Sequence, residues 1–392
     1  MPKNHIFLIP TLMFGVFALL TMELGAMGII PIIAQTYQIS VADAGWVVSI
    51  FALIVALCGP ILPTFFTKYD AKKILIICLS IFATSSFLSA FCTNFILLLI
   101  LRALPAFFHP IYLAFAFSIA QNSLSPDQAP KAVSKIFMAI SAGMTLGVPL
   151  TSYVASYTNL AVSFIFFAIL HAIALLATIM IIPSQKQTQK SSQKEQFKAF
   201  KNPIVWICSL IVIAFFGAMF GFYSYMSEFL LNVSNLSFTF ISVLLLVYGF
   251  GNVLGNSIAG KVLVKSPEAT LKIVPLLFIA LYLALFFSGE TQIFVTTLLA
   301  ILGIVAGVGS NMSHFIITQP LPQSKEFANG LYISTANIGT TLGTFLCGLF
   351  ISFNGSRFGV LASVLLSIFG IVLLLIRTRL LEQKETNGLD NH

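Results

Sequence analysis

Twelve apolar runs, each long enough to cross a bilayer as a helix, leave this chain few folds to choose from. They fall at roughly 6–33, 44–66, 73–92, 95–121, 132–156, 160–183, 202–230, 238–264, 271–288, 291–318, 327–352 and 357–377. Soluble domains carry about 25% charged residues. Here Asp, Glu, Lys and Arg make up 8% of 392 residues. The runs are too long and too continuous for the ~10-residue alternating strands of an outer-membrane barrel. The expected fold is an all-α integral membrane protein with 12 transmembrane helices. The first run also exceeds a signal-peptide core and has no small-residue cleavage pattern, so it is expected to stay in the mature protein.

The net charge of +8 is a matter of placement. With the N-terminus cytoplasmic, one set of loops and ends holds 18 of the 20 Lys and Arg residues, Lys72 and Lys73 among them. The opposite loops hold Arg357 alone, and Arg102 lies inside a run. That bias puts both termini in the cytoplasm by the positive-inside rule. The basic balance therefore reports topology, and no nucleic-acid partner is expected. Cys58, Cys78, Cys92, Cys208 and Cys347 fall within or at the ends of apolar runs, without metal-ligand spacing. The sequence has no phosphate-binding glycine loop, dinucleotide fingerprint or zinc motif, which argues against ATP-driven transport by this chain alone and against a cofactor.

A polar, lysine-studded stretch over 183–196 separates six runs from six. The expected division is an N-terminal six-helix bundle over 1–183, a cytoplasmic linker over 184–201 and a C-terminal six-helix bundle over 202–392. The bundles are related in sequence. Ser141-Ala-Gly143-Met-Thr-Leu-Gly147 returns as Asn337-Ile-Gly339-Thr-Thr-Leu-Gly343 after 196 residues. Pro126 meets Pro322 at the same offset, and Phe51-Ala-Leu53 meets Tyr248-Gly-Phe250 at 197. A parallel duplication of a six-helix unit is the pattern of secondary transporters whose halves rock about a central site.

One carboxylate interrupts the first run. No other Asp, Glu, Lys or Arg lies between Lys3 and Asp43, so Glu23 is alone in its helix. A charged side chain near the bilayer centre costs roughly 2.5–3.5 kcal/mol on insertion scales, and it faces a partner or a water-filled cavity. At 1.5 Å per residue Glu23 lies ~16 Å below the outer surface, with Arg102 at ~10 Å and His109 at ~21 Å along the fourth run. Arg102 and His109 are seven residues apart and share a helix face. Pro105 and Pro110 bracket His109 and free carbonyls beside it. An acid, a guanidinium and an imidazole at comparable depth read as a proton-handling site, with Glu23 the carrier and Arg102 its partner. The structural alternative is an ion pair tying the first helix to the fourth.

Thr21-x-Glu23-x4-Gly28-x2-Pro31-x-Ile33-Ala34, then Ser40-x4-Gly45 and Phe51-Ala-Leu53, resembles the opening of one branch of the major facilitator superfamily. That branch is the arabinose-efflux-permease group among the twelve-helix drug:proton antiporters. Leu101-Arg102 with His109 is similar to its signature on the fourth helix. Gly143-x3-Gly147-Val-Pro149 resembles the antiporter signature on the fifth, and Asn337-x-Gly339-x3-Gly343 the pattern on the eleventh. The likeness implies two pseudo-symmetric bundles working by alternating access, and no enzyme activity. There are departures. The loop after the second helix usually reads Gly-x3-Asp-Arg-x-Gly-Arg-Arg, but here Thr64 and Lys68 replace the glycine and aspartate, and Lys72-Lys73 keep the basic pair. Val264 stands where the second half's acid is expected, and Thr151-Ser152 replaces a Gly-Gly pair. The acid–base latch between halves is thus eroded.

The eleventh run carries Gly330, Ser334, Asn337, Thr341, Thr344 and Gly348 on one face, and the eighth carries Asn252, Asn256 and Gly260. Such faces serve close helix packing first. Asn337, with Thr341 a turn later, is set apart as a contact for a polar substrate. Phe107, Phe108, Tyr112 and Phe115 on the fourth run and Phe216, Phe220, Tyr223 and Tyr225 on the seventh flank the polar site. As a set they favour an amphipathic substrate, with Phe108, Tyr112, Phe220 and Tyr223 its expected contacts. His171 is expected to be structural, Glu228 to meet water at the outer end of the seventh run, and His314 and Gln319 to lie near the inner mouth.

The expected function is a proton-coupled secondary transporter that exports small organic molecules by alternating access, as a monomer in the plasma (bacterial inner) membrane. Drug-like, sugar and nucleoside compounds all occur as cargo in the resembling family. A proton-coupled importer, an uncoupled facilitator and a non-transporting sensor-like paralogue share the fold and stay open at this point. An intramembrane enzyme would need paired carboxylates, a nucleophile with its base, or metal ligands, and the sequence offers no such cluster.

Overall fold

Backbone amides in hydrocarbon have no water to bond, so each apolar run must close its own hydrogen bonds as a helix. The computed structural model describes residues 5–59, 62–66, 68–123, 129–184, 202–321 and 325–389. Twelve of its helical spans are long and apolar enough to cross a membrane. We number them α1 (Phe7–Tyr37), α2 (Val41–Cys58), α3 (Ala71–Ser89), α4 (Phe95–Ala120), α5 (Lys135–Tyr157) and α6 (Leu160–Ile181). The second six are α7 (Pro203–Ser224), α8 (Phe238–Lys265), α9 (Pro267–Ser288), α10 (Gln292–Thr318), α11 (Ala328–Asn354) and α12 (Ser356–Glu382). Of the expected linker only Ser184 is described. Residues 185–201 lie outside the described residues, as do Pro126 and Pro322.

Polar residues at the run boundaries start the helices. Ser40, Asp70, Asn94, Asn159, Asn202 and Ser237 each accept a hydrogen bond from an amide of the first turn that they precede. Asp70 also takes the Ser184 hydroxyl. Burial alone would raise the Asp70 carboxyl, but the bonds from Ser184 and the Lys73 amide outweigh it and hold the carboxyl below its ordinary range. Lys72 donates to the Ile179 carbonyl at 2.7 Å, at the carbonyl-rich end of α6. The basic pair kept from the loop signature is anchored locally. Lys72 and the Lys73 amide tie α3 to α6 and to Asp70 within one half, and neither bond reaches the other half.

The sequence repeat has a structural counterpart. A methyl at Gly147 would sit 2.8 Å from the Thr21 Cα on α1, and one at Gly339 2.8 Å from the Phe216 Cβ on α7. A methyl at Gly143 would overlap Leu20, and one at Gly343 would overlap the Gly217 carbonyl. Leu20 and Thr21 precede Phe216 and Gly217 by the same 196 residues as the glycines. The two lead helices also break at equivalent places. α1 runs as an α-helix over His5–Gly25, tightens to a 3-10 turn over Ala26–Ile29 and restarts at Ile30 with Pro31 in its first turn. Ile29 has φ −121° and ψ 13°, and Tyr225, 196 residues on, ends α7 with φ −106° and ψ 12°. Gly28 lets the 3-10 turn lie against Val148 and Ser152 of α5. Pro149 is buried within α5, which continues through it.

Spans α1–α6 pack on one another, as do α7–α12, and the halves meet along two main seams, α5 with α8 and α2 with α11. Ser242 donates to Ser152 at 3.0 Å, and Thr341 donates to the Ser49 carbonyl at 3.3 Å. The Tyr225 ring wedges between Gly45 of α2 and Gly348 of α11, where any added methyl would strike its hydroxyl. These contacts gather toward the end that holds the α1–α2 turn. At the other end Gly330 of α11 has open space around it. The seam is therefore shut at one end.

Gly343→Ala should destabilise the protein by about 1–3 kcal/mol through overpacking on the Gly217 backbone. Gly330→Ala should stay within ~0.5 kcal/mol of the parent. Thermal unfolding of the two detergent-purified variants checks the pair. Equal melting temperatures would contradict this assignment of the α7–α11 seam.

Candidate functional site

The site begins with the break in α1. A helix that tightens to 3-10 geometry leaves its last carbonyls poorly served by its own amides. Met22 and Glu23 stand one turn before that break, and Arg102 of α4 supplies their donors. Its Nη1 donates to the Met22 carbonyl at 2.8 Å and its Nη2 to the Glu23 carbonyl at 3.2 Å. Arg102 is 3% exposed. A guanidinium at the carbonyl end of a helical piece also meets the negative end of its dipole.

The expected partner of Glu23 thus acts on its carboxylate through charge and not through a direct ion pair. The Glu23 carboxylate is met by His109, whose Nε2 lies 2.9 Å from Oε2, although off the line of a well-aligned hydrogen bond. Charge counting missed this because it ignored the two carbonyls that the broken helix presents, which suit the forked donors of arginine. Phe51 of α2 lies against both the guanidinium and the imidazole. The Arg102 guanidinium lies over its ring at 5.0 Å, and the His109 ring meets its edge at 5.7 Å. His109 Nδ1, Arg102 Nε and the Thr21 hydroxyl are buried with no hydrogen-bond partner among the described residues.

Beside this cluster the halves face each other across a narrow crevice. Its free volume is about 20 Å³, room for a single water. Leu24, Met144 and Thr145 form one wall, and Phe220, Tyr223, Tyr248 and Asn252 much of the other. Phe216 stacks on Phe220 at 5.4 Å and Tyr223 on Tyr248 at 4.8 Å, while Phe220 meets Tyr223 edge-on at 6.1 Å. Met219, the repeat counterpart of Glu23, also lines the crevice.

The other sequence candidates divide. Phe220 and Tyr223 face the crevice as expected, and Phe108 is half-buried against the core. Tyr112 does not reach it. The ring is fully buried, its hydroxyl seated where α1 has Gly15 and its face 6.0 Å from Phe82. A side chain at Gly15 would leave no room for it. Asn337 turns its amide back to the Ile333 carbonyl of its own helix at 3.0 Å, and Thr341 joins α11 to α2. Glu228 is 5% exposed and accepts from Asn232 and Ser356 at 2.7 Å each, contrary to the expected contact with water. His171 is a core residue bonded to the Phe167 carbonyl at 2.8 Å. Sequence reasoning used Phe51 and Tyr248 only as repeat markers, yet each sits at the centre of its own half. Their pairing at an offset of 197 was the signal that could have promoted them.

A double-mutant cycle on thermal stability separates the two possible partners of the acid. Glu23→Gln with His109→Gln should couple by about 1–3 kcal/mol, and Glu23→Gln with Arg102→Met by less than ~1 kcal/mol. The reverse order would restore Arg102 as the partner of the carboxylate.

The sequence profile described as Major Facilitator Superfamily matches residues 12–325 and 235–391. The inner membrane transport protein YdhP of Escherichia coli (strain K12) is 24% identical over 375 residues, 96% of each chain. The solved nucleoside transporter NupG superimposes with a TM-score of 0.78 at 17% identity, over 96% of this chain and 98% of that one. A bacterial homologue of the human lysosomal transporter Spinster, in its inward-facing and unoccupied conformation, gives 0.75 at 17% identity over 97% and 98%. Proteins of this family are transporters rather than enzymes. With twelve spans, a repeat carried through both halves and a profile match along nearly its whole length, the chain belongs to the Major Facilitator Superfamily and is a multi-pass membrane transporter of small molecules.

Proposed function

We propose that this transporter is a proton-coupled exporter of small organic molecules in the bacterial inner membrane, with the proton carried on the Glu23–His109 pair. The carrying observation is the 2.9 Å approach of an imidazole to a lone carboxylate that is 13% exposed and next in sequence to Leu24 of the crevice wall. Two titratable groups that close exchange protons as a unit. Arg102, bound to carbonyls, holds the bend that aims Glu23 at His109. Leu24, the next residue, forms part of the crevice wall. Cargo entering there presses on the helix that carries the acid, so the proton and the cargo compete for one local geometry. The strong bias of Lys and Arg toward one set of loops makes the linker side cytoplasmic. The shut end then faces outward and the protein is poised to load cargo from inside. Coupling requires only that the proton and the cargo prefer different states of the halves.

Everted membrane vesicles from cells producing the chain provide the test, with the pH gradient followed by acridine orange fluorescence. A transported compound, found by screening a panel, should release protons from wild-type vesicles. Glu23→Gln, inserted at equal level, should release none. Full proton release in Glu23→Gln, or cargo movement by the wild type without proton movement, would contradict the proposal.

A further inference from the structure

The two halves offer the crevice opposite chemistries. Glu23, Arg102 and His109 have Met219, Leu298 and Val305 as their counterparts 196 residues on. Residues 203–224, 238–260 and 292–313, the parts of α7, α8 and α10 that build the second wall, contain no Asp, Glu, Lys, Arg or His. That wall carries rings instead. The stacked pair Tyr223–Tyr248, tilted by 22°, stands edge-on to the nearly parallel pair Phe216–Phe220, which is tilted by 7°. Flat faces held at right angles fix the plane of an inserted ring.

An amide ladder points into the same wall. Asn311 of α10 donates to the Asn256 carbonyl oxygen at 2.7 Å, and Asn256 donates to that of Asn252 at 3.1 Å. The Asn252 oxygen is thereby occupied, and its nitrogen, half-buried in the crevice lining, is the free end of the ladder. Each bond polarises the next, so the Asn252 N–H group is a strengthened donor. The ladder is braced from behind. α8 and α10 touch backbone to backbone at Gly255 and Gly307, which leaves the asparagines no other rotamer space on that side.

Resting on the export reading above, we infer that the cargo is an uncharged, flat aromatic compound bearing a carbonyl or ring-nitrogen acceptor. Its ring lies against Tyr223, Tyr248 and Phe220, and its acceptor takes the Asn252 amide N–H. A permanent cation would gain the ring faces but would find no carboxylate on this wall, since Glu23 is already met by His109. A sugar could lay its C–H face on the rings, but its ring of hydroxyls would find few polar partners in this lining. The walls are in near contact in the present state, and they part to admit the ring when Met144 and Thr145 move away with their half.

Equilibrium dialysis of the full chain in lipid nanodiscs, without any gradient, tests the inference independently of proton coupling. The probes are indole-3-carboxamide, benzamide and nicotinamide, against glucose and tetraphenylphosphonium, with empty nanodiscs as blank. At least one neutral amide should bind saturably. Tyr223→Ala should weaken it about tenfold, and so should Asn252→Ala. Gly330→Ala, in open space away from the crevice, should retain binding. Saturable binding of glucose or tetraphenylphosphonium with none by the three amides would overturn the inference, as would amide binding indifferent to Tyr223→Ala and Asn252→Ala. Binding that behaves as expected with no proton release in vesicles would sink the coupling proposal and leave this one standing.

Discussion

A carboxylate held in hydrocarbon must be given company, and the first half of this protein is arranged to give it. Glu23 can stay where it is because His109 stands beside it and Phe51 backs His109 with its ring edge. Arg102 answers a second demand made at the same place, the carbonyls that a bent α1 would otherwise leave in a dry interior. Either need alone could be met by hydrophobic redesign. Together they tie α1, α2 and α4 into one cluster that cannot shift in part.

The glycine seams set how closely that cluster approaches its neighbours. α5 lies on α1 at Gly143 and Gly147, and α11 lies on α7 at Gly339 and Gly343, with the same register in both halves. Close seams inside each half are hard to deform. Between the halves the contacts are sparser and mix hydroxyl bonds, a tyrosine wedge, a ring pair and one glycine approach, Gly249 on Thr145. Motion is therefore expected between rigid halves rather than inside them. Duplication supplied two copies of one scaffold, and the copies diverged where they face each other: one kept ionisable groups, the other aromatic rings and amides.

How much of this could be read beforehand depended on whether the cause was local. The twelve spans and the 196-residue repeat are written in composition and spacing, and they survive in the structure with shifts at the boundaries. Glu23 stood out because one acid in a long apolar run needs a partner or a cavity, whether for proton handling or for a structural ion pair. The partners of Arg102 were hidden, since the carbonyls it binds exist only because α1 tightens after Gly25. Tyr112 looked like a cavity aromatic until the missing side chain of Gly15, nearly a hundred residues away, was seen to house its hydroxyl. Glu228 lies in the short helix Met226–Asn232 beyond α7, yet is covered by the α11–α12 turn through Ser356, a contact that spacing along the chain does not predict. Thr341 sat on a small polar face, and its bond to the Ser49 carbonyl shows that face joining α11 to α2.

The central claim is that a proton on the Glu23–His109 pair biases which end of the transporter is open. Spin labels on the linker-side ends of α5 and α8, with their separation measured by electron–electron double resonance across a pH series in nanodiscs, test it most directly. The account predicts a distance distribution that shifts with pH in the wild type and loses that dependence in Glu23→Gln. An unchanged pH response in the variant would contradict it.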